Sequence, residues 1–199
     1  MGKMSFWYEF ASPYAYFSMM RIGQLCKAKG VEVIYQPFLL GPIFKQAGWN
    51  TSPFLIYEAK GKNFFRDIER EAAFYGLPPL QILRDFPESG LLATRLTLIG
   101  LQQGWGVDFS KAVYRRQFQH GLPIGEEQDL SEVLQTMNVG SVDSLLGQAG
   151  SDEIKTKLWA ISEQAQSIGI FGAPSFVVGD ELFWGNDRLE RAIEYACGA

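Results

Sequence analysis

A chain of 199 residues is long enough for one domain, or for one domain carrying a large insertion, and too short for a string of domains. Its 47% hydrophobic and 14% aromatic residues, against 20% charged, exclude a disordered composition. A formal net charge of -4 leaves no diffuse positive field for a phosphate backbone, so no nucleic-acid partner is expected.

In chain order, Ser5 to Phe10 (SFWYEF) reads as a buried strand that runs directly into a helix start. Ser12 is the natural N-cap and Pro13 suits the first helical position, where its missing N–H costs nothing. Ala15, Met19, Ile22 and Cys26 follow near helical spacing, and Gly30 ends the helix behind Lys27 and Lys29. Val31 to Phe38 is a second strand, which makes the first forty residues a parallel βαβ unit. From Gly41 to about Gly169 the strand signal vanishes. Phe64, Phe65, Ile68, Ala72 and Tyr75 stripe a helix that stops at Gly76; Leu91 to Gln103 stops at Gly104; Asp108 caps a run ending near Gly121. A further helix spans Ser151 to Ile168, with Ile154, Leu158, Ile161, Ala165 and Ile168 as its apolar face. Ser175 to Val178, then Gly179-Asp180, then Glu181 to Trp184 form a tight hairpin signature. Asn186 or Asp187 then caps a last helix, with Asp187 and Glu190 at capping-box spacing.

No run approaches the roughly 20 apolar residues of a spanning helix, so no membrane partner is expected. The N-terminus carries no apolar signal core, and a cytoplasmic address is the default. Cys26 and Cys197 match no paired metal spacing and fit a reducing compartment; Cys26, on an apolar helix face, reads as a small core hydrophobe. The single histidine, His120, stands beside Gly121 at a helix end, where a cation favours the dipole, and no metal site is expected.

The order βαβ, helical block, ββα, with Ala173-Pro174 just before the hairpin, resembles the thioredoxin fold with a large helical insertion, of DsbA type. On that resemblance residues 1–40 and 170–199 form the thioredoxin-like domain and 41–169 the inserted helical domain. The loop after the first strand, which holds Cys-x-x-Cys in redox members, reads Ser12-Pro13-Tyr14-Ala15 here, so thiol–disulfide exchange by this loop is chemically impossible. A helix N-terminus can still stabilise a thiolate brought by a ligand.

FASPYAYF (10–17), FKQAG (44–48), KGKNFFRDIER (60–70) and FGAPSFVVGDELFWGNDRLE (171–190) resemble the 2-hydroxychromene-2-carboxylate isomerases, kin of the kappa-class glutathione transferases, over essentially the whole chain. The resemblance implies glutathione as cofactor, a small aromatic carboxylate as substrate and a homodimer. It makes Ser12 the catalytic serine, whose hydroxyl donates to the glutathione sulfur. It gives the backbone of Ala173 to the cysteinyl part, as an added strand pairs, and Trp184, Gly185, Asn186 and Asp187 to the γ-glutamyl end, with the Asp187 carboxylate for its ammonium. Lys60 is placed to meet the glycyl carboxylate, and Lys45, Trp49 and Asn50 lie where substrate contacts cluster. The implied reaction is addition of the thiolate to the conjugated carbon of 2-hydroxychromene-2-carboxylate, ring opening, rotation about the former double bond, and loss of thiolate to give trans-o-hydroxybenzylidenepyruvate. A transferase that consumes glutathione and a non-catalytic thioredoxin-like binding module are the rival readings. One departure stands out: the family pattern usually has Asp where Glu9 stands.

Overall fold

The computed structural model describes residues 2–49, 56–84 and 86–198. It begins β1 (Lys3–Tyr8), α1 (Pro13–Lys29), β2 (Glu32–Pro37). The helices α2 (Leu40–Gln46), α3 (Glu58–Phe74), α4 (Leu91–Gln103), α5 (Gly106–Phe118), α6 (Glu127–Met137), α7 (Val142–Ala149) and α8 (Asp152–Ser167) follow. The chain closes with β3 (Ser175–Val178), β4 (Glu181–Trp184), a 3-10 turn (Asn186–Arg188) and α9 (Leu189–Gly198).

The four strands form one sheet in the order β2-β1-β3-β4, with β1 parallel to β2 and antiparallel to β3. The crossover from β1 to β2 is α1, and β3 and β4 are the expected hairpin. Period-2 alternation sends the β1 side chains to two different cores. Phe6 stacks on Tyr8 and Phe176 at 4.9 and 5.4 Å between ring centres, in the larger core that includes α1, α4, α5 and α9. Trp7 turns to the other face and meets Phe38, Leu40, Ile43, Ala165 and Ile170.

The helix-end signals act as their chemistry dictates. Ser12 Oγ accepts the Ala15 N–H at 3.2 Å, and Gly30, at φ 67°, ends α1 in the left-handed conformation that lacks a Cβ penalty. Ser151 caps α8 and Gly104 ends α4.

Several boundaries and roles differ from the sequence expectations. The first strand lies two residues earlier, over Lys3–Tyr8, because the Ser12 N–H bonds the Glu9 carbonyl at 3.1 Å and turns the chain out of the sheet. The second strand is shorter at both ends than Val31 to Phe38. Asp108 does not cap: α5 starts at Gly106 behind Trp105, whose indole packs over Gly100 and pulls the helix start back one turn, leaving Asp108 inside it. Phe65 and Ile168 are 41% and 39% exposed, at the edge of their helices' apolar faces. Neither Asn186 nor Asp187 caps the last helix through its side chain, and the Asp187/Glu190 capping box does not form. Gly185, at φ 107°, leads into the 3-10 turn, Asp187 pairs with Arg188, and Glu190 pairs with Arg21.

Candidate functional site

The N-terminus of α1 faces the loop that precedes β3. Ser12, 8% exposed, donates its hydroxyl hydrogen to the Ala173 carbonyl at 2.8 Å, while its oxygen accepts from Ala15. The Ala173-Pro174 peptide is cis, and the Pro174 carbonyl accepts the Gly185 N–H at 3.0 Å. The active-site turn, the loop before β3 and the turn after β4 are thereby tied in series.

Beside them opens a cleft of about 560 Å³ between α3 and the segment 184–188. Lys60, Ala173, Trp184, Gly185, Asn186 and Asp187, all named from the sequence as glutathione contacts, line it together. Trp184 is half-exposed, packs at a tilt against Phe171 with ring centres 4.9 Å apart and lies so close over Gly172 that a Cβ there would meet its Nε1 at 2.4 Å. Asp187 keeps an exposed carboxylate, paired with Arg188.

Asn186 behaves differently from its neighbours. It is buried, and its Oδ1 accepts from Ser18 Oγ at 3.0 Å and Arg21 Nη1 at 3.2 Å, while its Nδ2 donates to Glu71 Oε2 at 3.2 Å. The amide joins α1, α3 and the 3-10 turn.

Lys45 and Trp49 stand away from this cleft. Lys45 lines a separate groove of about 330 Å³ with Pro42 of α2 and Trp159 of α8, and Trp49 packs on Phe44 at 5.8 Å. Asn50 lies outside the described residues.

Tyr14, which the sequence suggests as core or pocket wall, completes the wall with Asp67 and Glu71, which the sequence did not single out. Tyr14 donates to Asp67 Oδ2 at 2.7 Å, a bond that with burial drives the phenol well above its ordinary value, and Glu71 holds Asn186. Lys60, Asn63, Phe64, Asp67 and Glu71 recur at helical spacing on one side of α3, a periodicity visible in the sequence had polar residues been counted with the apolar ones. Glu9, just before the active-site turn, is buried, and burial pushes its carboxyl up to about 7.

The lining suits a zwitterionic peptide-like ligand: cations at Lys60 and Arg188, carboxylates at Asp67, Glu71 and Asp187, and a backbone edge at Ala173. Cys26 is in the core and Cys197 is exposed on α9, so neither belongs to the active-site turn. Among the described residues no cluster of three or more His, Cys, Asp and Glu is placed to hold a metal ion, and no helix is long and apolar enough to cross a membrane.

A family model described as a DSBA-like thioredoxin domain matches residues 3–195. A 2-hydroxychromene-2-carboxylate isomerase of Sphingobium xenophagum is 29% identical over 193 residues, covering 96% of each chain. Glutathione S-transferase kappa 2 of Caenorhabditis elegans is 24% identical over 96% of this chain and 90% of its own. Among solved structures, a 2-hydroxychromene-2-carboxylate isomerase superposes with a TM-score of 0.85 at 21% identity, over 98% of this chain and 94% of that one.

Proposed function

The chain belongs to the DSBA-like thioredoxin domain family, and from that premise we propose that it is a glutathione-dependent isomerase interconverting 2-hydroxychromene-2-carboxylate and trans-o-hydroxybenzylidenepyruvate. Its fold is the thioredoxin fold with a large helical insertion, and its active-site turn carries Ser12 and Ala15 where redox members carry cysteines. The observation that carries the reading is the gathering of Lys60, Ala173 and residues 184–187 in one cleft beside a serine at a helix N-terminus. Relatives named as isomerases and as kappa transferases align along nearly the full chain and support an enzyme of this kind. The reading includes a homodimer, carried by the resemblance alone, and a cytoplasmic address, which the two distant cysteines fit.

Glutathione, when bound, supplies a thiolate that adds to the conjugated carbon of the substrate and departs unchanged. The chain's own residues bind and orient it. Lys60 offers a cation to the glycyl carboxylate, and Asp187 offers an anion to the γ-glutamyl ammonium. Ala173 presents a backbone edge to the cysteinyl part. Ser12 turns its hydroxyl from the Ala173 carbonyl toward the sulfur. The positive end of the helix dipole at the start of α1 adds partial positive charge, so the thiolate is favoured over the thiol.

The deciding assay follows chromene-carboxylate conversion with and without glutathione while free thiol is titrated. Conversion that needs glutathione and leaves its concentration unchanged is expected. Stoichiometric loss of thiol would instead make the protein a conjugating transferase, and conversion independent of glutathione would remove the cofactor.

A further inference from the structure

Glu9 is a buried acid that no step above uses, and its surroundings are built around the active-site turn. Its main-chain carbonyl accepts the Ser12 N–H at 3.1 Å, closing the turn that delivers Ser12 to the head of α1. The same carbonyl accepts the Tyr114 hydroxyl of α5 at 2.9 Å. The side chain folds back onto the turn it precedes, where Oε2 accepts the Ala11 N–H at 3.0 Å. Oε1 lies against Gly90, just ahead of α4: a Cβ at position 90 would stand 3.3 Å from that oxygen and 2.9 Å from the Phe10 Cβ. Gly90 is thus the one residue size that lets α4 begin against this carboxyl.

We propose that Glu9 is a positioning residue of the Ser12 site: its carboxyl clamps the Glu9–Ser12 turn through Ala11 and, by its charge, is coupled to the ionisation of a thiol bound at Ser12. This inference rests on the glutathione reading above. Its physical basis is that the buried Glu9 carboxylate and a thiolate held at Ser12, the other end of the same hydrogen-bonded turn, are like charges, each disfavouring the other. Burial already holds Glu9 up near 7, so it is partly protonated at neutral pH. Among the described residues the titratable group that feels its charge is Tyr114; burial raises that phenol far above neutrality, so it does not compete for the proton. When the thiol gives up its proton, an ionised Glu9 takes one up: thiol plus carboxylate becomes thiolate plus carboxylic acid. The two titrations then belong to the pair.

The test is glutathione binding to the full-length protein by calorimetry at pH 7 in buffers of different ionisation enthalpy, with thiolate read by ultraviolet absorbance. The wild type should form thiolate while releasing clearly less than one proton, and Glu9→Gln should release about one. S-methylglutathione, which has no thiol proton, should bind both proteins with no such difference. A measurement independent of any substitution accompanies it: the side-chain carboxyl resonance of Glu9 should titrate roughly one unit higher with glutathione than with S-methylglutathione. Failure of the wild type to form thiolate overturns the glutathione reading and this inference with it. Thiolate formation with an unmoved Glu9 titration, or equal proton release from both proteins, overturns the inference alone.

Discussion

Ser12 and Ala173 are 161 residues apart in the chain, and the hydroxyl of the first donates to the carbonyl of the second at 2.8 Å. A serine hydroxyl has one hydrogen, so the donor assigned to a glutathione sulfur is engaged elsewhere until the hydroxyl rotates. The bond holds two segments of the site, α1's head and the loop before β3, at hydrogen-bonding distance. Rotation exchanges a neutral acceptor for a charged one, a favourable trade when sulfur is ionised.

Ser12→Ala should therefore lower turnover by about 10²-fold at saturating glutathione and make the bound thiol less acidic, the expected loss for one aligned donor. The fold should lose about 1 kcal/mol, since Ala15 loses its N-cap acceptor. Turnover at wild-type level, with thiolate absorbance unchanged near neutrality, would remove Ser12 from the mechanism.

Asn186 and Asp187 are neighbours with opposite expected phenotypes. Asn186→Ala strips partners from Ser18, Arg21 and Glu71, and should cost about 2 to 3 kcal/mol of stability. Asp187, exposed and paired with Arg188, caps no helix, so Asp187→Asn should leave the melting temperature alone and weaken glutathione binding roughly tenfold. Calorimetry of binding and of unfolding on both variants checks the pair; wild-type affinity in Asp187→Asn contradicts its assignment.

Glu9 also sets a slope on stability against pH. Its carboxyl rises from 4.5 to about 7 on folding, so between those values the folded protein binds more protons than the unfolded chain, and stability falls as pH rises. The contribution is fully present below pH 4.5 and is lost as pH passes about 7, a change of order 3 kcal/mol. Glu9→Gln should flatten that part of the curve, with its advantage over wild type growing toward pH 8. Urea unfolding across the range measures this, and a stability that rises with pH only in the wild type would contradict it.

Replacing both Cys26 and Cys197 by Ala should leave glutathione-dependent isomerisation nearly intact. The Cys26 thiol is in the core and burial pushes it up to about 11, which makes it a poor nucleophile at neutral pH. The cost is about 1 kcal/mol for the small cavity left at position 26. A folded double variant that loses turnover by orders of magnitude would place a protein thiol in the chemistry.

Local chemistry was legible in the sequence and long-range chemistry was not. Ser12, Ser151, Gly30 and Gly104 act through backbone groups within four residues, and each ends a helix as its side chain, or lack of one, requires. The β3–β4 hairpin is likewise a short-range event. Asp187 had the right spacing for a cap and lost it because the cap geometry depends on Gly185, whose N–H is held by Pro174. Asn186 lines the cleft as expected, but its tie to Glu71, 115 residues away, was not legible because nothing local announces that partner. Lys45 fell in a different groove because α2 packs on α8, a contact that no pattern within α2 reports.

The single amide of Asn186 has a consequence for how the cleft meets its ligand. Because it spans from Ser18 and Arg21 to Glu71, the distance between the two walls is set by the length of a side chain rather than by the ligand between them. Such a cleft arrives with its width decided. Little ordering is left to occur on binding, and the entropy that a flexible wall would lose there is already spent in folding. On the proposed glutathione reading, a thiol peptide of a different length should bind more weakly, because the wall does not follow it.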